Sequence, residues 1–152
     1  MKKIVLCLIA IFLFSSDALA QSISTTQALS FGEAVLKNND AVHEIVISRN
    51  GNFSADPDFV FITDPQVGIY EITGGGVRQR LDTVTVTVNQ QLTGAGKVFT
   101  IDNFDIQSPN QLSNTGTGTI RVGARMQSSG DGTPYNPSTT HNGTLTLEVT
   151  FQ

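Results

Sequence analysis

Apolar and polar residues alternate along much of the chain beyond position 20. Residues 83–88 read Thr-Val-Thr-Val-Thr-Val, and the same period of two recurs over residues 120–126 and 145–151. Successive side chains of a β-strand point to opposite faces, so this pattern predicts half-buried strands of antiparallel sheets. Shorter apolar or β-branched stretches predict further strands at 29–36, 42–48, 59–63 and 68–73. The stretches 98–101 and 104–106 form either the next pair of strands or a single bent strand.

Glycine, asparagine, aspartate and proline separate the predicted strands. The clearest hairpin signal is Asn50-Gly51, which tolerates the positive φ angles of a type I′ turn, and Phe53 would open the return strand. Two longer segments, 108–118 and 127–142, are predicted as loops. No helical periodicity of any length appears beyond residue 20. About eight or nine short strands at this spacing predict one all-β domain over residues 21–152, an antiparallel two-sheet β-sandwich.

The first twenty residues have the features of a secretory signal peptide. Lys2 and Lys3 give a positive start, residues 4–14 carry no charge, and Ala18-Leu19-Ala20 matches the small-x-small cleavage pattern. We therefore expect cleavage before Gln21 and an exported protein, located in the periplasm, at the cell surface or outside the cell. A retained membrane anchor is the alternative, but the apolar run is shorter than the roughly 20 residues that a spanning helix needs. No membrane insertion is expected after cleavage.

Removal of the signal peptide would change both the cysteine content and the charge of the chain. Cys7 is the single cysteine, so the mature chain would rely on burial and backbone hydrogen bonds without a disulfide. Loss of Lys2, Lys3 and Asp17 from nine basic and thirteen acidic residues would leave a net charge of −5. An acidic surface repels phosphate backbones, so nucleic acid is not expected as a partner.

The sequence offers little catalytic chemistry. The two histidines, His43 and His141, lie far apart, and no nucleophile motif accompanies them. Glu44, Glu71 and Glu148 fall at outward positions of predicted strands, which is typical of solvated carboxylates rather than of a glycosidase pair. We therefore predict no catalytic residue and a protein that is not an enzyme.

Ligand sites are equally sparse in the sequence. Acidic residues concentrate at 56–64 and 102–105, but neither segment has the spacing of a calcium loop, and aspartate and asparagine are ordinary turn residues. We therefore predict no metal site and no cofactor. Tyr135, in the second long loop, is the one aromatic side chain placed to contact a ligand such as a glycan.

Several short motifs, in order along the chain, resemble a known family. They are Leu29-Ser30-Phe31-Gly32, Gly68-Ile69-Tyr70-Glu71-Ile72-Thr73-Gly74, Leu92-Thr93-Gly94 with Gly96 ahead of Phe104, Gly123-Ala124, and the closing run 143–151. Together they resemble the bacterial secreted family called domain of unknown function 4402, over nearly all of the chain beyond residue 20. The resemblance implies an immunoglobulin-like or pilin-like sandwich, similar to major subunits of surface fimbriae, with no established enzyme activity.

The closing strand raises the question of what covers its edge. No later strand is expected beside residues 145–152, so an unpaired edge there would accept a strand from another chain. The candidate donor is the uncharged segment 22–29, and the alternative is that this segment is the first strand of its own domain. The predicted inter-subunit contact consists of Ser22, Ile23 and Leu29 on the donor and Leu145, Leu147, Val149 and Phe151 on the acceptor.

Two functional hypotheses follow. The first is a non-enzymatic structural or adhesive subunit of the surface or envelope, such as a fimbrial component, whose partners are further copies of itself or other envelope proteins. The second is a monomeric periplasmic or secreted binding module that holds a glycan or an envelope protein through the two long loops, 108–118 and 127–142.

Overall fold

The computed structural model describes residues 21–89, 97, 99–135, 141 and 143–152, so the predicted signal peptide lies outside it. Each strand pairing within these ranges is antiparallel, and the predicted all-β fold is confirmed. The described ranges contain no helix long and apolar enough to cross a membrane. The strands in chain order are β1 (Ser22–Gln27), β2 (Glu33–Leu36), β3 (Glu44–Ile47), β4 (Phe53–Ala55), β5 (Phe59–Thr63), β6 (Gly68–Thr73), β7 (Leu81–Asn89), β8 (Thr100–Gln107), β9 (Gly118–Gln127) and β10 (Thr144–Phe151).

A six-stranded sheet forms the first layer, with β9 at its centre. The strand order is β1-β6-β9-β3-β4, and β8 also pairs with β9. Met126 of β9 lies opposite Ile45 of β3 on one side and opposite Ile101 of β8 on the other. The first half of β9 pairs instead with β6, where Val122 lies opposite Gly68. The long strand β9 therefore connects both halves of this layer.

Two ribbons of two strands each form the second layer. One ribbon is β7–β10, with Leu147 opposite Val86, and the other is β2–β5, with Leu36 opposite Phe59. Their inward side chains pack on the apolar face of the six-stranded sheet, which gives the predicted sandwich. The prediction of two sheets was too simple, because the described residues of the two ribbons do not pair with each other.

The apolar core has two parts, one beneath each ribbon. β9 supplies both parts, since its alternate residues point inward along its whole length. The core under the β2–β5 ribbon contains Ile45, Ile47, Phe59, Val67, Phe99, Ile101, Ala124 and Met126. The core under the β7–β10 ribbon contains Tyr70, Ile72, Val86, Leu112, Ile120 and Val122.

Most predicted strands occur where the alternation placed them. The strands over 59–63 and 68–73 match their predicted bounds. Of the two short stretches predicted at 98–101 and 104–106, residues 100–101 and 104–106 lie in the single strand β8, and position 98 lies outside the described residues. A bulge interrupts β8 at Asn103, whose backbone is left-handed with a φ of 49°. This bend explains why the sequence pattern breaks in the middle of one strand.

The strand predicted over 29–36 was wrong in its first half. Gly32 has a φ of 77°, and a Cβ at this position would lie 2.2 Å from the carbonyl oxygen of Thr63. A left-handed residue cannot continue a strand, so β2 begins at Glu33. Leu29 is consequently a connector residue, half-buried against the core.

The predicted hairpin at Asn50-Gly51 is present, but its turn type was wrong. Gly51 has a φ of 91°, whereas Asn50 is not among the residues with positive φ, and a type I′ turn needs both. The Gly51 N–H donates to the Ser48 carbonyl at 2.9 Å, and the Ser48 N–H donates to the Asn52 carbonyl at 2.8 Å. The connection is therefore a longer loop with one left-handed glycine.

Candidate functional site

The ribbon β7–β10 covers its part of the core incompletely. Val86 of β7 is buried, but the inward residues of β10 are only half-buried although all of them pack on the core. These residues are the four predicted on the acceptor side, Leu145, Leu147, Val149 and Phe151. Apolar side chains that face a core and still contact water gain further stabilisation when another surface covers them.

The outer edge of β10 is open. Among the described residues β10 pairs with β7 alone, so one side of this strand carries backbone N–H and C=O groups without a neighbouring strand. Its register with β7 is regular from Thr144 to Val149, and a shift occurs just before Phe151. Unpaired edges of long regular strands are templates for the addition of another strand.

Several other edges of the fold are protected from such pairing. β4 has three residues and β2 has four, so they offer short edges. The register of β1 shifts between Thr25 and Gln27, and β8 is bent at Asn103. β10 instead has eight residues without lysine, arginine or proline, and Glu148 is its single charge. The outer side of β7 also has no neighbouring strand among the described residues, but its start is engaged, because the Leu81 N–H donates to the Asn110 carbonyl at 3.1 Å. Composition, regularity and a free start therefore mark β10 as the edge best suited to accept a strand.

The predicted donor segment is paired within its own chain. Ser22 of β1 lies opposite Thr73 of β6, and their hydroxyl groups are 2.8 Å apart. Ile23 lies opposite the buried Ile72 but stays 40% exposed itself. Of the two alternatives left open by the sequence, the structure has the first strand in its own domain. Because five of its six residues are exposed, β1 buries little surface at this edge.

Tyr135 belongs to a packed aromatic group. Its ring stacks on Phe99 at 4.2 Å between centroids, the centroid of the nearly perpendicular His141 ring lies 6.0 Å away, and Lys97 Nζ is 5.2 Å from the ring centre. The Tyr135 hydroxyl oxygen accepts a hydrogen bond from the Ser129 N–H at 2.8 Å. With one face against Phe99 and its hydroxyl engaged in the loop, Tyr135 holds the segment 128–135 against the core.

A buried asparagine, which the sequence pattern does not predict, organises the same loop. The Asn39 side chain donates to Ser129 Oγ and Asp131 Oδ1 at 3.0 Å, and to the Thr133 carbonyl at 2.8 Å. Its own Oδ1 accepts from the Gly130 N–H at 3.1 Å. The run Lys-Asn-Asn-Asp at 37–40 is typical of a polar turn, so nothing in its pattern indicates a buried asparagine with several partners.

Lys97 adds a charge to this loop. Its ammonium group contacts the Asp131 carboxylate and the Thr133 carbonyl. Hydrogen bonds from Lys97, followed by those from Thr133, hold the pKa of Asp131 well below its usual range. This cluster joins Lys97, which precedes β8 in the chain, to Asp131, which follows β9. Its geometry supports a structural role, because donors already surround Asp131 Oδ1.

A second polar cluster surrounds His43, just before β3. His43 Nδ1 lies 3.6 Å from Asp56 Oδ2 and 3.7 Å from Asp58 Oδ2, while the side chain is 12% exposed. The Asp56 carboxylate also accepts from the Glu44 N–H at 2.8 Å, which fixes the start of the strand. Over the described ranges, no group of three or more side chains is arranged to hold a metal ion.

An ion pair lies on the outer face of the large sheet. Arg125 Nε donates to Asp102 Oδ1 at 2.8 Å, and Arg125 Nη2 donates to Asp102 Oδ2 at 3.0 Å. These two hydrogen bonds lower the pKa of Asp102. The residues face each other across β8 and β9, so they strengthen the pairing beside the bend at Asn103. Asp102 belongs to a segment whose aspartates were predicted to be turn residues, but it lies in a strand and pairs across the sheet.

Comparison with known families bears on the whole domain. The family model described as Domain of unknown function (DUF4402) matches residues 22–151. The chain belongs to this family. No curated protein and no solved structure matches the chain. The match begins at the first residue of β1 and ends at the last residue of β10, so the DUF4402 unit includes both the N-terminal strand and the open-edged strand.

Proposed function

We propose that this DUF4402 protein is a non-enzymatic, exported structural or adhesive subunit that joins further copies of itself or other envelope proteins through an open sheet edge. The observation that carries the proposal is β10. This strand combines a long regular edge without a neighbour among the described residues with four half-buried apolar side chains that face the core. Main-chain hydrogen bonds at such an edge give affinity, and pockets for alternate side chains give specificity.

The character of the rest of the surface supports an assembly role. The predicted mature chain is acidic, which favours solubility before assembly, and the loop residues 129–131 are held by hydrogen bonds to Asn39. Export, as expected from residues 1–20, would bring such a subunit to the envelope. The added strand can come from the segment 22–29 of a neighbour or from another strand of a second copy.

The proposal is tested by the native mass of the exported protein. Light scattering and sedimentation are expected to show particles larger than a monomer, or a complex with an envelope protein. The variant Thr144→Lys/Thr150→Lys adds two positive charges to the β10 edge and is expected to reduce this association, since lysine protects natural edges. Its matched control, Thr85→Lys/Thr87→Lys, places the same charges on exposed positions of β7. A strictly monomeric native protein without a bound partner would contradict the proposal.

A binding module for another envelope protein is the second candidate. It is favoured by the outer face of the β2–β5 ribbon, where Val35, Val60 and Ile62 are 44%, 44% and 67% exposed. Val35 and Val60 lie opposite each other, so they form one aliphatic surface. Capture of an envelope protein that is lost with Val60→Ser/Ile62→Ser, while β10 variants leave it unchanged, would favour this function over assembly through β10.

The glycan form of the binding hypothesis depends on Tyr135. Glycan binding that is lost in Tyr135→Ala but kept in Phe53→Ala, which removes another partly exposed aromatic, would support it. Because Tyr135 stacks on Phe99, the comparison needs folded variants, and their circular dichroism spectra provide that check. If the native protein binds no glycan, the glycan hypothesis is wrong and Tyr135 has a structural role only.

A further inference from the structure

We infer that the partner at the open β10 edge is β10 of a second copy, paired antiparallel about a two-fold axis at Leu147. This inference rests on the proposed function, because it names the occupant of the same edge. The result would be one continuous four-stranded sheet in the order β7-β10-β10-β7. The half-buried residues Leu145, Leu147 and Val149 of each copy would then lie beside those of the other.

The sequence of β10 is complementary to itself. Residues directly opposite each other in an antiparallel pair point to the same face, so odd-numbered residues must oppose odd-numbered residues. The strand is strictly alternating, with the apolar side chains at odd positions and Thr144, Thr146, Glu148 and Thr150 at even positions. In any register that satisfies this rule, the apolar side chains of both β10 strands therefore lie on the same face of the joined sheet.

Glu148 selects one register among these. With the axis at Leu147, Glu148 lies opposite Thr146 of the second copy, and the pairing extends over residues 144–150. With the axis at position 148, Glu148 would face Glu148 of the second copy, and like charges directly opposite each other are destabilising. With the axis at position 146, the pairing would shorten to residues 144–148. The register centred on Leu147 is the longest that avoids the repulsion.

Among the described residues, pairing of two β10 strands breaks no strand pairing of the single chain. A donated N-terminal strand would first have to leave β6, to which β1 is paired from Ser22 to Gln27. That release would also break the hydrogen bond from Gln27 Nε2 to the Val67 carbonyl at 2.8 Å. The open edge of β10 is available without any such rearrangement, which favours the symmetric pair.

Two substitutions at one position test the register. Thr146→Lys places an ammonium group opposite Glu148 of the second copy at two symmetric points, whereas Thr146→Glu places a carboxylate there. Sedimentation of the purified protein over a concentration series is expected to show dimerisation tighter by on the order of 2- to 30-fold for the first variant and weaker by a similar factor for the second. The matched controls, Thr87→Lys and Thr87→Glu, alter the β7 residue that faces Thr146 within the chain. They should change the strength of dimerisation less.

Disulfide formation gives an independent test. The chain beyond residue 20 has no cysteine, so one introduced cysteine can pair only with its copy in another molecule. Leu147→Cys lies on the axis and is expected to form a disulfide-linked dimer under oxidising conditions. Val149→Cys, equally half-buried but opposite Leu145, is the matched control and is expected to cross-link far less.

The outcomes separate this inference from the proposed function. Association that is lost on deletion of residues 21–28 but does not respond to charge at position 146 would overturn the symmetric pair in favour of strand donation, and the assembly function would stand. Equal responses to lysine and glutamate at position 146, or equal cross-linking at 147 and 149, would overturn the register. A native protein that shows no association at all would overturn both.

Discussion

Asn39 Nδ2 donates a hydrogen bond to Asp131 Oδ1 at 3.0 Å, and this bond joins positions that are 92 residues apart in the chain. Asn39 is 4% exposed, and its buried amide donates to oxygen atoms of Ser129, Asp131 and Thr133, which holds the loop that follows β9. A buried polar group with complete partners stabilises a unique arrangement, whereas the loss of one partner is costly.

Substitution of Asn39 is therefore expected to destabilise the domain strongly. Asn39→Asp keeps the size but replaces the donor with an oxygen that faces the Asp131 carboxylate, and we expect the free energy of unfolding to fall by about 3 kcal/mol. Urea unfolding measures the change. Asn110→Asp makes the same chemical change at an exposed position and should cost less than about 0.5 kcal/mol. Equal effects of the two substitutions would refute the role assigned to Asn39.

The Asp131 carboxylate makes stability dependent on pH in the acid range. Its pKa in the folded protein is lowered, mainly by the hydrogen bond from Lys97, so the carboxylate stabilises the fold above the unfolded pKa of about 3.9. This stabilisation is lost as the pH falls through the lower, folded pKa. The deficit of Asp131→Asn against the native protein should therefore be full at pH 7 and shrink below about pH 4.

Unfolding midpoints in urea between pH 7 and pH 2 measure this dependence. Lys97→Met removes the largest cause of the lowered pKa and should reduce the slope of stability against pH, with Asp131 still present. A deficit of Asp131→Asn that stays constant down to pH 2 would show that the carboxylate does not supply the acid dependence.

Gly123 permits the close approach of β9 to the end of β3. A Cβ at this position would lie 2.2 Å from the Ile47 carbonyl oxygen and 2.7 Å from the Ser48 carbonyl carbon, and backbone atoms cannot move aside as a flexible side chain can. We expect Gly123→Ala to lower the free energy of unfolding by about 3 kcal/mol. Gly76→Ala is the control, because its Cβ would meet Gln79 side-chain atoms at 3.4 Å or more. Similar unfolding curves for both variants would contradict this reason for glycine at 123.

Processing at the N-terminus is a prediction from the sequence. Mass spectrometry of the exported protein is expected to show a chain that begins at Gln21. Ala20→Arg replaces the small residue before the cleavage point and should leave the precursor uncleaved, whereas Ser22→Ala, beyond that point, should be processed normally. An exported protein that retains residues 1–20 would disprove the predicted signal peptide.

The strands themselves could be predicted from the sequence because burial of one face imposes a period of two. The pattern at 83–88, 120–126 and 145–151 identified β7, β9 and β10, and turn residues bounded β5 and β6 correctly. Breaks in the pattern were harder to interpret, since a left-handed Gly32 and a bulge at Asn103 are local backbone states that neighbouring residues do not encode clearly.

The candidate site was predicted in its parts but not in its arrangement. The alternation identified the inward residues of β10, whereas the sequence left open whether residues 22–27 pair within the chain. Tyr135 was singled out as an aromatic in a loop, but its contact with Phe99 depends on two segments that only folding brings together. Asn39 and Lys97 gave no local signal at all, because each has its partners far along the chain.

The sequence by itself determined an all-β antiparallel fold and the face of each long strand that enters the core, because side-chain alternation and burial act between near neighbours in the chain. The tertiary structure alone decided which strands became neighbours, that the second layer divides into two ribbons, and that β10 has an open edge among the described residues. Pairing and closure depend on contacts between distant segments, and these form only when the whole domain packs.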